Sequence, residues 1–194
     1  PLVLRHDDVT RLLHDTRLRG PGTDFFAMVG ITDGPIFERM RRILLFMEGE
    51  DHHRLRRLVS KAFTPQSVSG LRPIARRVVA DLIDAVAADG RADAIPSLCE
   101  PFPIPVICAL IGIPDDRWVD MSRWSTHVLL ALSFEVAQHR PAIEEQLAEM
   151  DAFLSTLIDE RRQRPRPDLL TALVEAHDGD DRLDHDELLA MVSM

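Results

Sequence analysis

His52 and Arg56 stand four residues apart, so on a helix they share one face about a turn from each other. An imidazole and a guanidinium placed in this way form a donor pair for carboxylates. Arginine grips a carboxylate through two N–H groups at once, and histidine adds a donor near neutral pH. Leu55, Leu58, Val59 and Phe63 give the same helix an apolar side. That mixture suits an acidic, flat, largely apolar ligand. Arg54, Arg57 and Lys61 complete a local basic cluster with Arg56. Spacing alone leaves two readings open: a solvated basic face of an amphipathic helix, or a carboxylate clamp.

Other residue types that could carry chemistry point nowhere as specific. The chain has two cysteines, Cys99 and Cys108, outside any Cys-x-x-Cys motif, which read as reduced, buried thiols. Eight histidines include no His-Glu-x-x-His, and the adjacent His52 and His53 point to different faces of a helix. Asp178-Gly179-Asp180-Asp181 opens like a calcium loop but lacks the glycine at the sixth position and has Leu189 where the bidentate Glu belongs, so it reads as an acidic surface turn. No metal site is expected.

The elements that must position the pair are mainly helical. Leu2-Val3-Leu4 reads as the end of a short strand, and Asp7-Asp8 can cap a short helix carrying Val9, Leu12 and Leu13. From Gly20 to Met47 neither a helical nor a strand period runs cleanly. This predicts a long irregular loop rich in Phe25, Phe26, Met28, Val29, Ile31 and Phe37. Such a loop either packs onto its own core or lines a ligand.

The chain turns helical from Asp51, and Thr64-Pro65 fits the start of a further helix with Val68, Leu71, Ile74, Val78, Leu82 and Val86 inward. Val106 to Ile113 lacks a polar face and should be buried. A helix from Asp115 toward Phe134 is followed by a break at Gln138 to Pro141. A long helix then runs from about Ala142 to Gln163, with Ile143, Leu147, Met150, Leu154, Leu157 and Ile158 inward. Leu169 to Ala176 forms a short helix, and Asp184 with Glu187 makes a capping pair for a last one.

Composition bounds the class. The 194 residues, 45% hydrophobic and 28% charged, fit a water-soluble globular domain, and the net charge of -9 argues against nucleic acid as a partner. No run of about 20 apolar residues predicts a membrane span, and the first residues turn polar too soon for a signal peptide, so a cytoplasmic protein is expected.

The stretch from Leu44 through Glu48-Gly49-Glu50-Asp51-His52-His53-Arg54-Leu55-Arg56-Arg57-Leu58-Val59 to Phe63-Thr64-Pro65 resembles the C-helix region of bacterial cytochromes P450. Their usual pattern there is Asp-Pro-Pro-Glu/Asp-His-x-x-Leu-Arg-x-Leu-Val with a Phe-Thr-Pro close. Three further segments resemble the family in the same order. They are Leu2 to Leu18, Pro103-Ile104-Pro105-Val106-Ile107-Cys108-Ala109-Leu110-Ile111-Gly112-Ile113-Pro114, and Asp168 to Val174 with Asp186-Glu187-Leu188-Leu189. The chain departs from the pattern where Gly49-Glu50 replaces the two prolines and Glu48 the aspartate. Without proline, that entry to the helix is expected to be more mobile.

The resemblance implies a single partial domain over residues 1–194: a mainly α, incomplete P450 fold from helix B to the start of helix I, with a trace of strand at its N-terminus. It implies haem b (iron protoporphyrin IX), with the propionates held by His52 and Arg56 and with Leu44, Leu45 and Phe63 as apolar haem neighbours. Spacing to Arg56 favours His52 over His53. Phe25, Phe26, Ile31 and Phe37 of the loop, with Leu130 and Phe134 of the lid, would line a pocket for a small apolar organic substrate. Dioxygen and a ferredoxin-type electron donor are the implied partners, the donor docking on Arg54, Arg57 and Lys61.

The family's thiolate ligand to iron sits in a Phe-x-x-Gly-x-x-x-Cys-x-Gly loop that these residues do not contain. The reading is therefore an amino-terminal part truncated at both ends, with no catalytic residue of its own and inactive alone, of a monooxygenase. The alternative is a helical module that binds a small molecule without chemistry.

Overall fold

A computed structural model of the chain describes residues 2–63 and 70–193. Ten α-helices are described: α1 (His6–Leu13), α2 (Asp24–Met28), α3 (Gly34–Met40), α4 (Gly49–Ala62), α5 (Leu71–Ala87), α6 (Pro103–Ile111), α7 (Trp118–Ala131), α8 (Val136–Gln163), α9 (Leu169–Glu175) and α10 (His185–Val192). Single helical turns of other pitch lie at Leu44–Phe46, Ile95–Cys99 and Asp115–Arg117. One antiparallel pair, β1 (His177–Asp178) and β2 (Asp181–Arg182), joins His177 to Arg182 and Asp178 to Asp181.

α8 is the axis of the molecule. Its residues Ile143, Leu147, Met150, Leu154, Leu157 and Ile158 recur at helical spacing and are all buried, as the periodicity predicts. Against this stripe pack α3, α7, α9 and α10. α4 lies on α9 and buries Leu55, Leu58 and Ala62. One continuous core results, running from Phe26 and Ile31 through α4, α7 and α8 to Leu188 and Val192.

At the start of α10 both halves of a capping box form: Asp184 Oδ1 accepts from Glu187 N at 2.8 Å, and Glu187 Oε2 accepts from Asp184 N at 2.9 Å. At the start of α9, Asp168 Oδ1 accepts from Thr171 N at 2.8 Å. The same Asp168 reaches Arg161 Nε through Oδ2 at 2.6 Å, and Arg161 donates to the Gly112 carbonyl at 2.8 Å. This buried junction ties the ends of α6 and α8 to the beginning of α9. Gly112 ends α6 at φ +88°, and a Cβ there would collide with the Asp168 carboxylate.

Several expectations are corrected. Residues 2–4 form no strand, because a strand exists only through pairing and none of the described residues pairs with them. The trace of strand lies instead at residues 177–182. The segment from Gly20 to Met47 is not one irregular loop: α2, α3 and a turn of 3₁₀ helix fill it, each too short to show a period. Gly30 and Gly34, at φ +80° and +83°, separate the first two. The break before α8 falls at residues 132–135 and not at Gln138 to Pro141; Pro141 sits in the second turn of α8, where only one backbone bond is lost. α6 is apolar all round yet buries only Cys108 and Ile111, since its described neighbours cover one side. α5 likewise buries Val78 but leaves Leu71, Ile74, Leu82 and Val86 half-covered. The expected helix start at Thr64-Pro65, with Val68, lies outside the described residues.

Candidate functional site

α4 begins after the apolar turn Leu44–Phe46, and its buried stripe Leu55–Leu58–Ala62 holds it against α9. That anchoring fixes the rotation of the helix. His52 and Arg56 then fall on the neighbouring stripe and face outward beside the turn that precedes them. Together with Gly20, Gly22, Leu44, Leu45, Phe46, Met47 and Glu48 they line an open cleft of about 450 Å³. One wall is apolar and the other carries the imidazole and the guanidinium. His53 packs edge-on against His52, ring centroids 5.6 Å apart, but is not among the lining residues.

The other bases of α4 are engaged within the chain. Arg54 donates to Asp181 Oδ1 at 2.8 Å and also pairs with Glu187. Arg57 Nε lies 2.6 Å from Asp178 Oδ2, and Lys61 Nζ donates to Asp178 Oδ1 at 2.9 Å and to the His177 carbonyl at 2.8 Å. The two cations beside Asp178 hold its carboxyl below the ordinary carboxylate range, Lys61 most of all. The face expected to dock an electron donor is thus charge-balanced by the β1–β2 turn. Arg56 differs: among the described residues it makes no ion pair, and it is the one cation of α4 that lines the cleft.

The remaining predicted residues divide. Leu44 and Leu45 line the cleft, Leu45 with most of its side chain open to solvent. Phe63 does not; it caps the far end of α4, eleven residues from His52 and so about 16 Å along the helix. Phe26 and Ile31 are fully buried in the core, whereas Phe25, Phe37 and Leu130 are half-buried against it, and Phe134 is exposed. A chain of edge-on rings connects three of these to the cleft. Phe134 meets Phe25 at 5.6 Å, Phe25 meets Phe26 at 5.2 Å, and Phe26 meets Phe46 at 4.8 Å. Sequence reasoning did not assign Phe46, Met47 or Glu48 a role. Their only signal was position, directly before the helix that bears the donor pair.

An apolar wall facing an unpaired guanidinium and an imidazole fits the edge of an acid-bearing apolar plate. Two comparisons bear on which one. Over 190 residues the chain is 37% identical to the mycinamicin IV hydroxylase/epoxidase of Micromonospora griseorubida, covering 97% of this chain and 46% of that protein. It is 37% identical to cytochrome P450 107B1 of Saccharopolyspora erythraea over 200 residues, covering 98% of the chain and 47% of that protein. Among solved structures, the P450 MycG F286A mutant in complex with mycinamicin IV superposes with a TM-score of 0.74 at 35% identity, over 98% of this chain and 47% of that one. CalO2 superposes with a TM-score of 0.85 at 29% identity, over 97% and 48%.

The chain belongs to the cytochrome P450 family.

No protein-family model matches it. This P450 chain spans about half the length of the curated relatives it matches. Its helical architecture is that of part of the P450 fold. Among its described residues no helix is long and apolar enough to cross a membrane.

Proposed function

We propose that this chain supplies the propionate-binding edge of a haem site in a P450 monooxygenase, with Arg56 and His52 as the donors. The observation that carries the reading is the pattern of charge pairing on α4. Arg54, Arg57 and Lys61 each have a carboxylate within the chain, while Arg56 is left unpaired among the described residues and lines the cleft with His52. Arg56 is exposed at the open cleft, and a cation with no counter-charge among the described residues is suited to an external carboxylate. Leu44, Leu45 and Phe46 offer the apolar flank such a flat ligand requires. When bound, haem b (iron protoporphyrin IX) supplies oxidation by dioxygen with two electrons, for hydroxylation of a small apolar organic substrate. The relatives' names fit an organic substrate, since they include a mycinamicin IV hydroxylase/epoxidase and a 6-deoxyerythronolide B hydroxylase.

This chain's own part is to bind and orient. Arg56 and His52 hold the acid edge, and Phe46, through Phe26 and Phe25, relays the position of the apolar wall to Phe134 in the turn between α7 and α8. Phe25, Phe37, Leu130 and Phe134 are the residues we assign to the substrate side. Cys108 is buried in α6 and Cys99 lies in the turn at Ile95–Cys99, so neither faces the cleft, and the chain alone is inactive on this reading. An acidic ferredoxin-type donor that approaches α4 has to compete with Asp178 and Asp181 for Arg57, Lys61 and Arg54.

The test uses the complete protein. Reduced under carbon monoxide, it should show the Soret band of a thiolate-ligated haem; a spectrum without that band refutes the monooxygenase reading. Arg56→Ala should speed haem loss about tenfold, the value of one or two charge-assisted hydrogen bonds. Arg54→Ala should leave it nearly unchanged. Equal effects of the two substitutions refute the clamp.

A further inference from the structure

We infer that Glu48 is a built-in competitor for Arg56, a carboxylate of the chain placed in the cleft where the ligand's own carboxylate must bind. The inference rests on the clamp reading above and concerns how tightly that clamp holds. Glu48 lines the same cleft as His52 and Arg56. Its carboxylate is not otherwise engaged. Glu48 is the N-cap residue of α4, yet its side chain makes no capping hydrogen bond, and it forms no ion pair among the described residues. Its Oε1 lies 4.0 Å from where a Cβ on Gly20, another residue of the cleft lining, would stand.

The backbone accounts for this placement. Gly49, the first residue of α4, has φ +70°, in the left-handed region that favours glycine. Nothing lies within 4 Å of a Cβ built there, so the conformation and not the available space calls for glycine. Proline, which the resembled pattern carries at this position, is locked near φ −65° and cannot adopt it. The glycine therefore turns the preceding residue along a path that a proline entry could not follow. Replacement of the short, cap-forming aspartate by the longer glutamate then extends the carboxylate past the cap and into the cleft.

A carboxylate in that position opposes an incoming one in two ways. The two form no ion pair, so with the site empty Glu48 attracts Arg56 only at longer range across the shared cleft, and with the ligand bound it repels the ligand's negative edge. Both weaken retention. Glu48 is exposed and the cleft is open to solvent, so screening keeps the effect to about two- to fivefold.

Transfer of haem from the complete protein to an excess of apomyoglobin, followed at the Soret band, tests this directly. Glu48→Gln should slow haem loss about two- to fivefold, and the gap to wild type should narrow as salt is raised. Glu50→Gln removes the same charge from the same first turn of α4 but outside the cleft lining, and should leave the rate unchanged. An unaltered or faster rate for Glu48→Gln overturns the inference, as does an equal slowing by Glu50→Gln. Arg56→Ala separates the two levels. If it leaves haem loss unchanged, the clamp itself is refuted. If it speeds the loss while Glu48→Gln does nothing, the clamp stands and the competitor is refuted.

Discussion

Asp168→Ala should destabilise this chain by about 4 kcal/mol, although Asp168 lies outside the cleft. The carboxylate has two duties. Oδ1 caps α9 by accepting from Thr171 N at 2.8 Å, and loss of such a cap costs about 1 kcal/mol. Oδ2 holds Arg161 Nε at 2.6 Å, with the two side chains 8% and 0% exposed. Removing one member of a buried pair strands the other charge, at about 3–5 kcal/mol. Arg161 would keep its bond to the Gly112 carbonyl at 2.8 Å and its contact with Glu160 at 3.3 Å, which places the second figure at the low end of that range. Against a total stability of roughly 5–15 kcal/mol the loss is large.

Urea unfolding followed by helical circular dichroism measures it, provided the slope with denaturant is unchanged. Adding Arg161→Met to Asp168→Ala should recover part of the loss, because the double substitution leaves no orphaned charge. A cost near 1 kcal/mol, the cap alone, would refute the reasoning about the pair. So would a double variant less stable than the single one. The outcome bears on function because α9, which Asp168 caps, is the helix against which α4 and its donor pair are seated.

Two further outcomes follow from the same geometry. Gly112→Ala should cost clearly more than Gly90→Ala in the same unfolding assay. Both residues have left-handed backbones, at φ +88° and +64°, a strain of about 1–2 kcal/mol for alanine. Only at Gly112 does the new Cβ also meet the Asp168 carboxylate and the Arg161 guanidinium. Of the two thiols, Cys99 is exposed and should react with Ellman's reagent at pH 8 in the folded chain. Cys108 should not, because burial first and the nearby charge of Asp115 second push its thiol up to about 11. Below that value the thiol stays protonated and the nucleophilic thiolate is scarce. Two fast-reacting equivalents under native conditions would contradict the burial of Cys108.

Where structure depends on near neighbours in the chain, it was legible from the residues alone. The inward stripe of α8 follows from helical spacing, the capping box of α10 from an aspartate and a glutamate three apart, and the shared face of His52 and Arg56 from a separation of four. Family likeness was equally readable, since it is carried by short motifs in order. Short elements escaped: α2 and α3 run five and seven residues, less than a period needs to declare itself, and Pro141 was read as a break because its cost within a helix of 28 residues could not be weighed locally.

The state of the charges was a tertiary matter. Nothing near Arg54, Arg57 or Lys61 in sequence marks them as paired, because their carboxylates lie more than a hundred residues away on the β1–β2 turn and the start of α10. Sequence by itself determined the helical stripe on which His52 and Arg56 sit, since a helix repeats every 3.6 residues whatever surrounds it. Only the fold decided that Arg56 has no counter-charge among the described residues while its neighbours are neutralised, and that Glu48 shares its cleft. Electrostatic pairing depends on distance through space, and that distance is set by packing and not by position along the chain.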